Sequence, residues 1–174
     1  MAYANNTQIL IDTTKRVVVK RVGIFDTAGG AELENVILEP LKLNGVLDAN
    51  GNIYTTGNTL PSGFANNCLS LYRVVYSIDS EVGHVQLRWQ GTSTTVTALA
   101  LGQGNGDTNP QSNLPTIKNN AIGPTGNITL LSAGTTANAA YTLIMEFHKD
   151  NRYFSAGQDI DPAAFNAPPY GVRP

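Results

Sequence analysis

Apolar and polar residues alternate along several short segments of the chain. In GHVQLRWQG, at positions 83–91, Val85, Leu87 and Trp89 are separated by polar residues, and AYTLIMEFHK, at 140–149, repeats the same design. A period of two puts alternate side chains on opposite faces of a β-strand. Both segments therefore predict strands with one apolar face and one polar face.

Two further segments are rich in the residues that strands prefer. CLSLYRVVYSI, at 68–78, and RVVVKRVGIF, at 16–25, are dense in β-branched and aromatic side chains, which favour strands. Turn signals separate these segments: Asn50-Gly51, a strong hairpin signal, and the segments 79–83 and 91–94. The segment 79–83 also has the length of a hairpin loop, so we expect a hairpin between the strands on either side of it. With no long stretch of helical period, the pattern predicts an all-β fold, a single jelly-roll-like β-sandwich domain.

Three segments depart from the strand pattern. The best helical candidate is 28–38, which would end before Pro40. DPAAF, at 161–165, could form a single helical turn. Fourteen residues at 102–115 are dominated by Gly, Asn, Gln and Pro, and loops of this length are usually functional or disordered.

The two ends of the chain predict arms on either side of the sandwich. We expect an N-terminal arm at 1–14, the domain at 15–150, and a C-terminal arm at 151–174 that holds four of the nine prolines. A Pro-rich aromatic tail needs a surface for its rings, so we expect both arms to contact neighbours, with the 102–115 loop as a secondary candidate. The candidate interface residues are apolar or aromatic: Ile9, Ile11, Tyr153, Phe154, Phe165 and Tyr170.

The composition favours a protein whose role is contact. Charged residues make up 14% of the chain, against about 25% in an average soluble domain, and 18 Asn, 18 Thr and 17 Gly stand in their place. A net charge of -2 without a basic cluster argues against nucleic acid as a partner. We expect no membrane span, because no apolar run approaches 18 residues, and no secretion signal in MAYANNTQIL.

Residues suited to catalysis or metal binding are few. Cys68 is the only cysteine, and the two histidines, His84 and His148, could meet if their strands paired but would lack a third ligand. The glycines at 102–106 lack the GK[ST] ending of a phosphate-binding loop. Trp89 falls on an apolar face, which favours a core position over a stacking platform. We therefore expect no catalytic residue, no cofactor and no metal, and we do not expect an enzyme.

Three parts of the chain resemble virion proteins of tailed bacteriophages. They are DTTKRVVVKRVGIFD, at 12–26, GHVQLRWQG with VTALALGQGNGD, and GPTGNITLLSAGTTANAAYTLIMEFHKD, at 123–150. They are similar to the small β-sandwich proteins that decorate, or cement, the outside of the head. The resemblance covers about residues 12–150 and implies a virion protein, made in the host cytoplasm, that stabilises the assembled capsid as an oligomeric clamp, commonly a trimer. Its partners would be the major capsid protein of the same virus and further copies of itself.

Two alternatives remain open. The protein could be a head–tail joining or tail component of the same kind of particle. It could also be a carbohydrate- or receptor-binding sandwich of a phage fibre, using Trp89 or the tyrosines as a sugar platform. On the boundaries above, deletion of 151–174 should leave a folded domain that no longer attaches to its particle.

Overall fold

The structure is a computed structural model that describes residues 5–25, 34–108, 116–135 and 138–155. Within these ranges ten strands form two antiparallel sheets, with a 3-10 turn at Pro40–Lys42 and one short helix, α1, at Phe64–Asn67. The strands are β1 (Asn6–Asp12), β2 (Arg16–Ile24), β3 (Asn35–Leu38), β4 (Leu69–Ile78), β5 (His84–Gly91), β6 (Val96–Leu101), β7 (Gly104–Asp107), β8 (Ile117–Lys118), β9 (Pro124–Ala133) and β10 (Ala140–Lys149).

The order of the strands is that of a jelly roll. The first sheet runs β1-β2-β10-β4-β7, with β8 also paired to β4, and the second sheet runs β3-β9-β5-β6. The pairs β2–β10, β3–β9, β4–β7 and β5–β6 are nested in the sequence, as in a long hairpin folded over on itself. Two facing sheets of this kind form the jelly-roll sandwich. The prediction of an all-β, jelly-roll-like sandwich is confirmed.

The core lies between the two sheets and follows from the alternation in the sequence. Along β2 and β10 every second residue is buried, so that Val19, Leu143 and Met145 are fully covered. The ring of Trp89, from the opposite sheet, meets Phe147 edge-on at 6.3 Å between centroids. Burying each side chain of this size stabilises the fold by roughly 1.5–3 kcal/mol.

The segment 79–83 connects two sheets and is not a hairpin. β4 lies in the first sheet and β5 in the second. Likewise, β10 lies in the first sheet and β9 in the second. The prediction of a hairpin across 79–83 was therefore wrong. A short turn at the edge of a sandwich can return the chain within one sheet or pass it to the other, because both strands show the same period-two pattern. Among the described strands, the turns after β1 and β5 are the ones that join consecutive partners of one sheet, β1 with β2 and β5 with β6.

Two irregular segments contain strands that their sequences did not predict. In the helical candidate 28–38, Asn35–Leu38 forms β3 and pairs with β9, and the rest of the candidate lies mostly outside the described residues. In the segment 102–115, Gly104–Asp107 forms β7 and pairs with β4. A side chain at Gly106 would meet the ring of Tyr76 at 2.4 Å, so the absence of one lets the ring cover this edge strand.

Both ends of the described chain are packed into the sandwich. β1 is hydrogen-bonded to β2, and at the other end Phe154 forms an isolated bridge with Val46. Tyr153 and Phe154 are buried, at 4% and 1% exposure. The expected boundaries after residues 14 and 150 thus fall inside packed structure, because the backbone of β1 extends the first sheet and the two rings fill the core. Residues 1–4, 26–33, 109–115, 136–137 and 156–174, which include the 161–165 segment, lie outside the described residues.

Candidate interaction surface

β1 is an edge strand with two exposed large apolar side chains. β1 pairs with β2 on one side, and within the described residues no strand lies on its other side. Ile9 and Leu10 are each 45% exposed, and Ile11 is half-buried. A sheet edge presents unpaired N–H and C=O groups that can pair with a strand of another chain. This edge offers both backbone hydrogen bonds and apolar side chains to a partner.

A β-bulge at Leu10 shapes this edge. The register of β1 on β2 shifts between Ile9 and Ile11, so that Leu10 is the additional residue. Bulges bend the strand and increase its local twist. The bulge changes which face each residue occupies, since Ile11 is opposite Val18 and Asp12 is opposite Val17. Asp12 therefore points towards the core while Ile11 lies on the outer face.

Side chains fix the first half of β1 to the sheet. The Oδ1 atom of Asn5 accepts a hydrogen bond from the N–H of Ile24 at 3.3 Å. The Oγ1 atom of Thr7 accepts one from Nη1 of Arg21 at 2.9 Å, and Nε of Arg21 donates to the hydroxyl of Tyr141 at 3.3 Å. Arg21 is itself buried. These contacts hold the edge in one conformation before any partner binds.

An ion pair fixes the other end of β1. The ammonium group of Lys149 contacts the carboxylate of Asp12 and donates to the carbonyl of Asn44 at 2.9 Å. Oδ2 of Asp12 also accepts the N–H of Asn44 at 2.9 Å. Burial lowers the pKa of Lys149, because desolvation disfavours the ammonium form, and the nearby Asp12 acts in the opposite direction. The pair ties β1 to the end of β10.

The structure divides the candidate interface residues into three groups. Ile9 is exposed and Ile11 is half-buried on β1. Tyr153 and Phe154 are core residues: their rings pack against Phe64 at 5.7 and 6.2 Å between centroids, so neither ring is free to contact a neighbour. Their aromatic character predicts an interface, but aromatic rings in the last segment of a domain can equally close its own core. Phe165 and Tyr170 lie outside the described residues.

The sequence pattern did not predict the charged outer face of the first sheet. Arg16 contacts Glu146 at 3.3 Å, and Arg73 makes two hydrogen bonds to Asp107, at 2.9 and 2.5 Å. Next to them the ring of His148 stacks on Tyr72 at 3.8 Å. These residues come from four strands that are distant in sequence, so only the strand order brings them together.

Groups capable of chemistry are dispersed in the described part of the chain. No three His, Cys, Asp or Glu residues lie close enough there to hold a metal ion, and His84 and His148 lie on different sheets, so these histidines do not meet. Cys68 is 1% exposed, and burial raises the pKa of its thiol to about 12. Trp89 is also 1% exposed, which places its ring in the core, as its apolar position predicted.

None of the helices in the described ranges has the length and apolar character that a membrane crossing requires.

The comparisons with known proteins give little further information. No family model and no curated protein matches the sequence. Among solved structures, the chain has a match in a single-particle structure of maize chlorotic mottle virus, with 8% identity, 87% of this chain and 96% of that chain covered, and a TM-score of 0.21. At that score the match carries no argument about this protein.

Proposed function

We propose that this protein is a structural component of a virus particle, of the type that decorates a phage capsid and fastens its neighbours together. The observation that carries the proposal is the free edge of β1, with Ile9 and Leu10 each 45% exposed. The jelly roll itself is found in viral capsid and lectin domains alike, so it supports the proposal only as an analogy. The resemblance of residues 12–150 to phage virion proteins supports it further.

In this proposal the edge of β1 binds by β-strand addition. A strand of the major capsid protein would pair with the backbone of β1 and cover Ile9 and Leu10. The side-chain contacts of Asn5, Thr7 and Asp12 hold β1 in place beforehand, which lowers the conformational entropy lost on binding. The protein would act without catalysis.

Stabilisation of the capsid would follow from mass action. A protein that binds only the assembled shell shifts the equilibrium between shell and free subunits towards the shell. If several copies associate, as a trimer does, the second and third contacts become intramolecular and the overall affinity increases. The rigid sandwich core would keep the binding edges of the copies at fixed distances.

Co-sedimentation with assembled capsids tests the proposal. The wild-type protein should pellet with capsids at a saturable copy number, and Ile9→Lys should abolish pelleting, because a lysine on an edge strand blocks pairing with another strand. Ile53→Lys is the matched control, since Ile53 is 53% exposed but lies outside the long strands. Both variants should melt within a few degrees of wild type. Wild-type protein that remains in the supernatant, or equal binding by the two variants, would contradict the proposal.

The alternatives predict different results in the same assay. A head–tail joining protein would use the same edge but would be present at one vertex of the particle, at a much lower copy number. A sugar-binding module based on Trp89 is disfavoured, because that ring is 1% exposed.

A further inference from the structure

Most charged side chains of the described residues have partners within the domain. The acidic residues Asp12, Glu34, Glu39, Asp107, Glu146 and Asp150 are in ion pairs. Asp48 is buried and accepts hydrogen bonds from the N–H groups of Asn50 and Asn52 and from Asn58. Two acidic residues of the described ranges, Asp79 and Glu81, have no ion pair. Both are exposed and both lie in the turn between β4 and β5.

This acidic turn, residues 79–83, is held in a fixed shape. Ser80 is 1% exposed, and its hydroxyl donates to the carbonyl of Val82 at 2.6 Å. The N–H of Asp79 donates to the carbonyl of Ala140 at 3.0 Å. With Ser80 anchored inside, the side chains of Asp79, Glu81 and Val82 remain outside, and Val82 is 60% exposed. The turn therefore presents two carboxylates and one apolar side chain.

The basic residues without an ion pair lie elsewhere on the domain. Within the described ranges they include Lys15, Lys20 and Lys118. Of these, Lys15 and Lys118 lie at the end of the sandwich opposite the acidic turn. The pairing of the strands places four residues in one line across the first sheet: Arg16, His148, Ser70 and Lys118. Adjacent strands are about 4.8 Å apart, so this basic row spans roughly 14 Å, with Lys15 just before its first residue.

We propose that copies of this chain associate head to tail, with the acidic turn of one copy docked on the basic row of the next. The carboxylates of Asp79 and Glu81 lie at one end of the domain and the ammonium groups of Lys15 and Lys118 at the other, which is the charge complementarity that a head-to-tail contact requires. A recess of about 140 Å³ beside the row is lined by Asn67, Leu69, Ser70, Lys118, Lys149 and Asp150. The one carboxylate among them, that of Asp150, is already paired with Arg152.

A head-to-tail contact is heterologous, since each copy uses two different surfaces. Such contacts form closed rings when the rotation between copies closes, and open filaments when it does not. A ring of this kind would leave the edge of β1 available for the capsid. The inference deepens the proposed function, because it names the contact by which the copies of a clamp would associate, but it is measured in solution without capsids.

Sedimentation equilibrium of the full-length protein at low and at high salt tests this contact. Wild type should self-associate, and more weakly at high salt, since salt screens exposed charges. Glu81→Lys and Lys118→Glu should each weaken self-association about tenfold. In an equimolar mixture of the two variants, pairwise association should recover its wild-type affinity. In the mixture, the turn of the Glu81→Lys variant docks on the row of the Lys118→Glu variant, where the two exchanged charges are again opposite in sign. The other contact in the mixture joins the unaltered turn of the Lys118→Glu variant to the unaltered row of the Glu81→Lys variant.

The matched controls reverse charges outside the contact. Glu39 and Lys42 are exposed and pair with each other, so Glu39→Lys and Lys42→Glu change the net charge by the same amounts as the test variants. Both controls should associate as wild type does. A wild type that stays monomeric at high concentration in low salt would overturn the inference, as would test variants that match their controls or a mixture that does not recover. Capsid co-sedimentation by such a monomer would leave the proposed function standing.

Discussion

Lys149 and Asp12 form an ion pair inside the sandwich that joins the last residue of β10 to the last residue of β1. The side chain of Lys149 is fully buried and that of Asp12 is 14% exposed. The ammonium group also lies over the ring of Phe154, at 4.7 Å from the centroid, and donates to the carbonyl of Asn44. One lysine therefore connects the edge strand, the 40–46 segment and the end of the described chain.

Removing the carboxylate of this pair should be strongly destabilising. In Asp12→Asn the ammonium group stays buried without its counter-ion, and a buried charge left alone costs about 3–5 kcal/mol. Denaturant unfolding measures this free energy. Glu39→Gln, which breaks an exposed pair, should change the stability by less than about 1 kcal/mol. Adding Lys149→Met to Asp12→Asn should recover part of the loss, because the buried charge is then absent; no recovery would show that the charge is not the cause.

The stability should depend on pH through Lys149 in the alkaline range. Its pKa in the folded protein is lowered from the ordinary value of 10.5, mainly because burial removes water from the ammonium group. Between the folded-state pKa and 10.5, the unfolded chain binds more protons than the folded one, so this group's contribution to stability rises with pH. The free energy of unfolding of wild type, measured relative to Lys149→Met at each pH, should therefore increase as the pH approaches 10.5. A decrease over that interval would contradict the direction of the shift.

The C-terminal limit of the folded domain should lie after Phe154. A chain that ends at Ser155 keeps both buried rings, whereas a chain that ends at Asp150 loses Tyr153 and Phe154 from the core. Removing a buried aromatic ring costs about 3–5 kcal/mol, so the shorter chain should be largely unfolded by circular dichroism and the longer one folded. This revises the expectation that removal of 151–174 leaves the fold intact. Two folded truncations would show that the rings are dispensable.

The thiol of Cys68 should be unreactive in the native protein. It is 1% exposed and its pKa is raised to about 12, so that both access and thiolate formation are suppressed. A thiol reagent at neutral pH should modify it only after denaturation. Ile53→Cys, at an exposed position, should react within the mixing time and serves as the positive control. Rapid native labelling of wild type would show that the core around Cys68 opens readily.

Trp89 should act as a core residue. Its Nε1 has no hydrogen-bond partner among the described residues, so Trp89→Phe loses packing volume but no hydrogen bond, and it should cost less than Trp89→Ala, for which about 3–5 kcal/mol is expected. Thermal unfolding compares the two. Glycan-array binding by wild type that is lost in a still-folded Trp89→Phe would instead support the sugar-binding alternative.

The alternation of apolar and polar residues predicted the fold class because it depends on local geometry. In β5 and β10 the residues predicted to face inwards, Leu87, Trp89, Leu143 and Phe147, are buried. The same pattern could not predict which strands pair. The pattern is the same for β4 and β5 whether they form a hairpin or belong to two sheets. It also gives no signal for β7, whose Gly106 lies against the ring of Tyr76.

By itself, the sequence determined that this chain forms amphipathic strands around one apolar core, with few charges and few groups for chemistry. The tertiary structure decided where the remaining charges and apolar side chains are placed. Tyr153 and Phe154 fill the core because the end of β10 returns the chain to the 45–47 segment. Arg16 and Lys118 fall in one row because β10 and β4 lie between them. These relations depend on pairing between distant strands, which local periodicity does not encode.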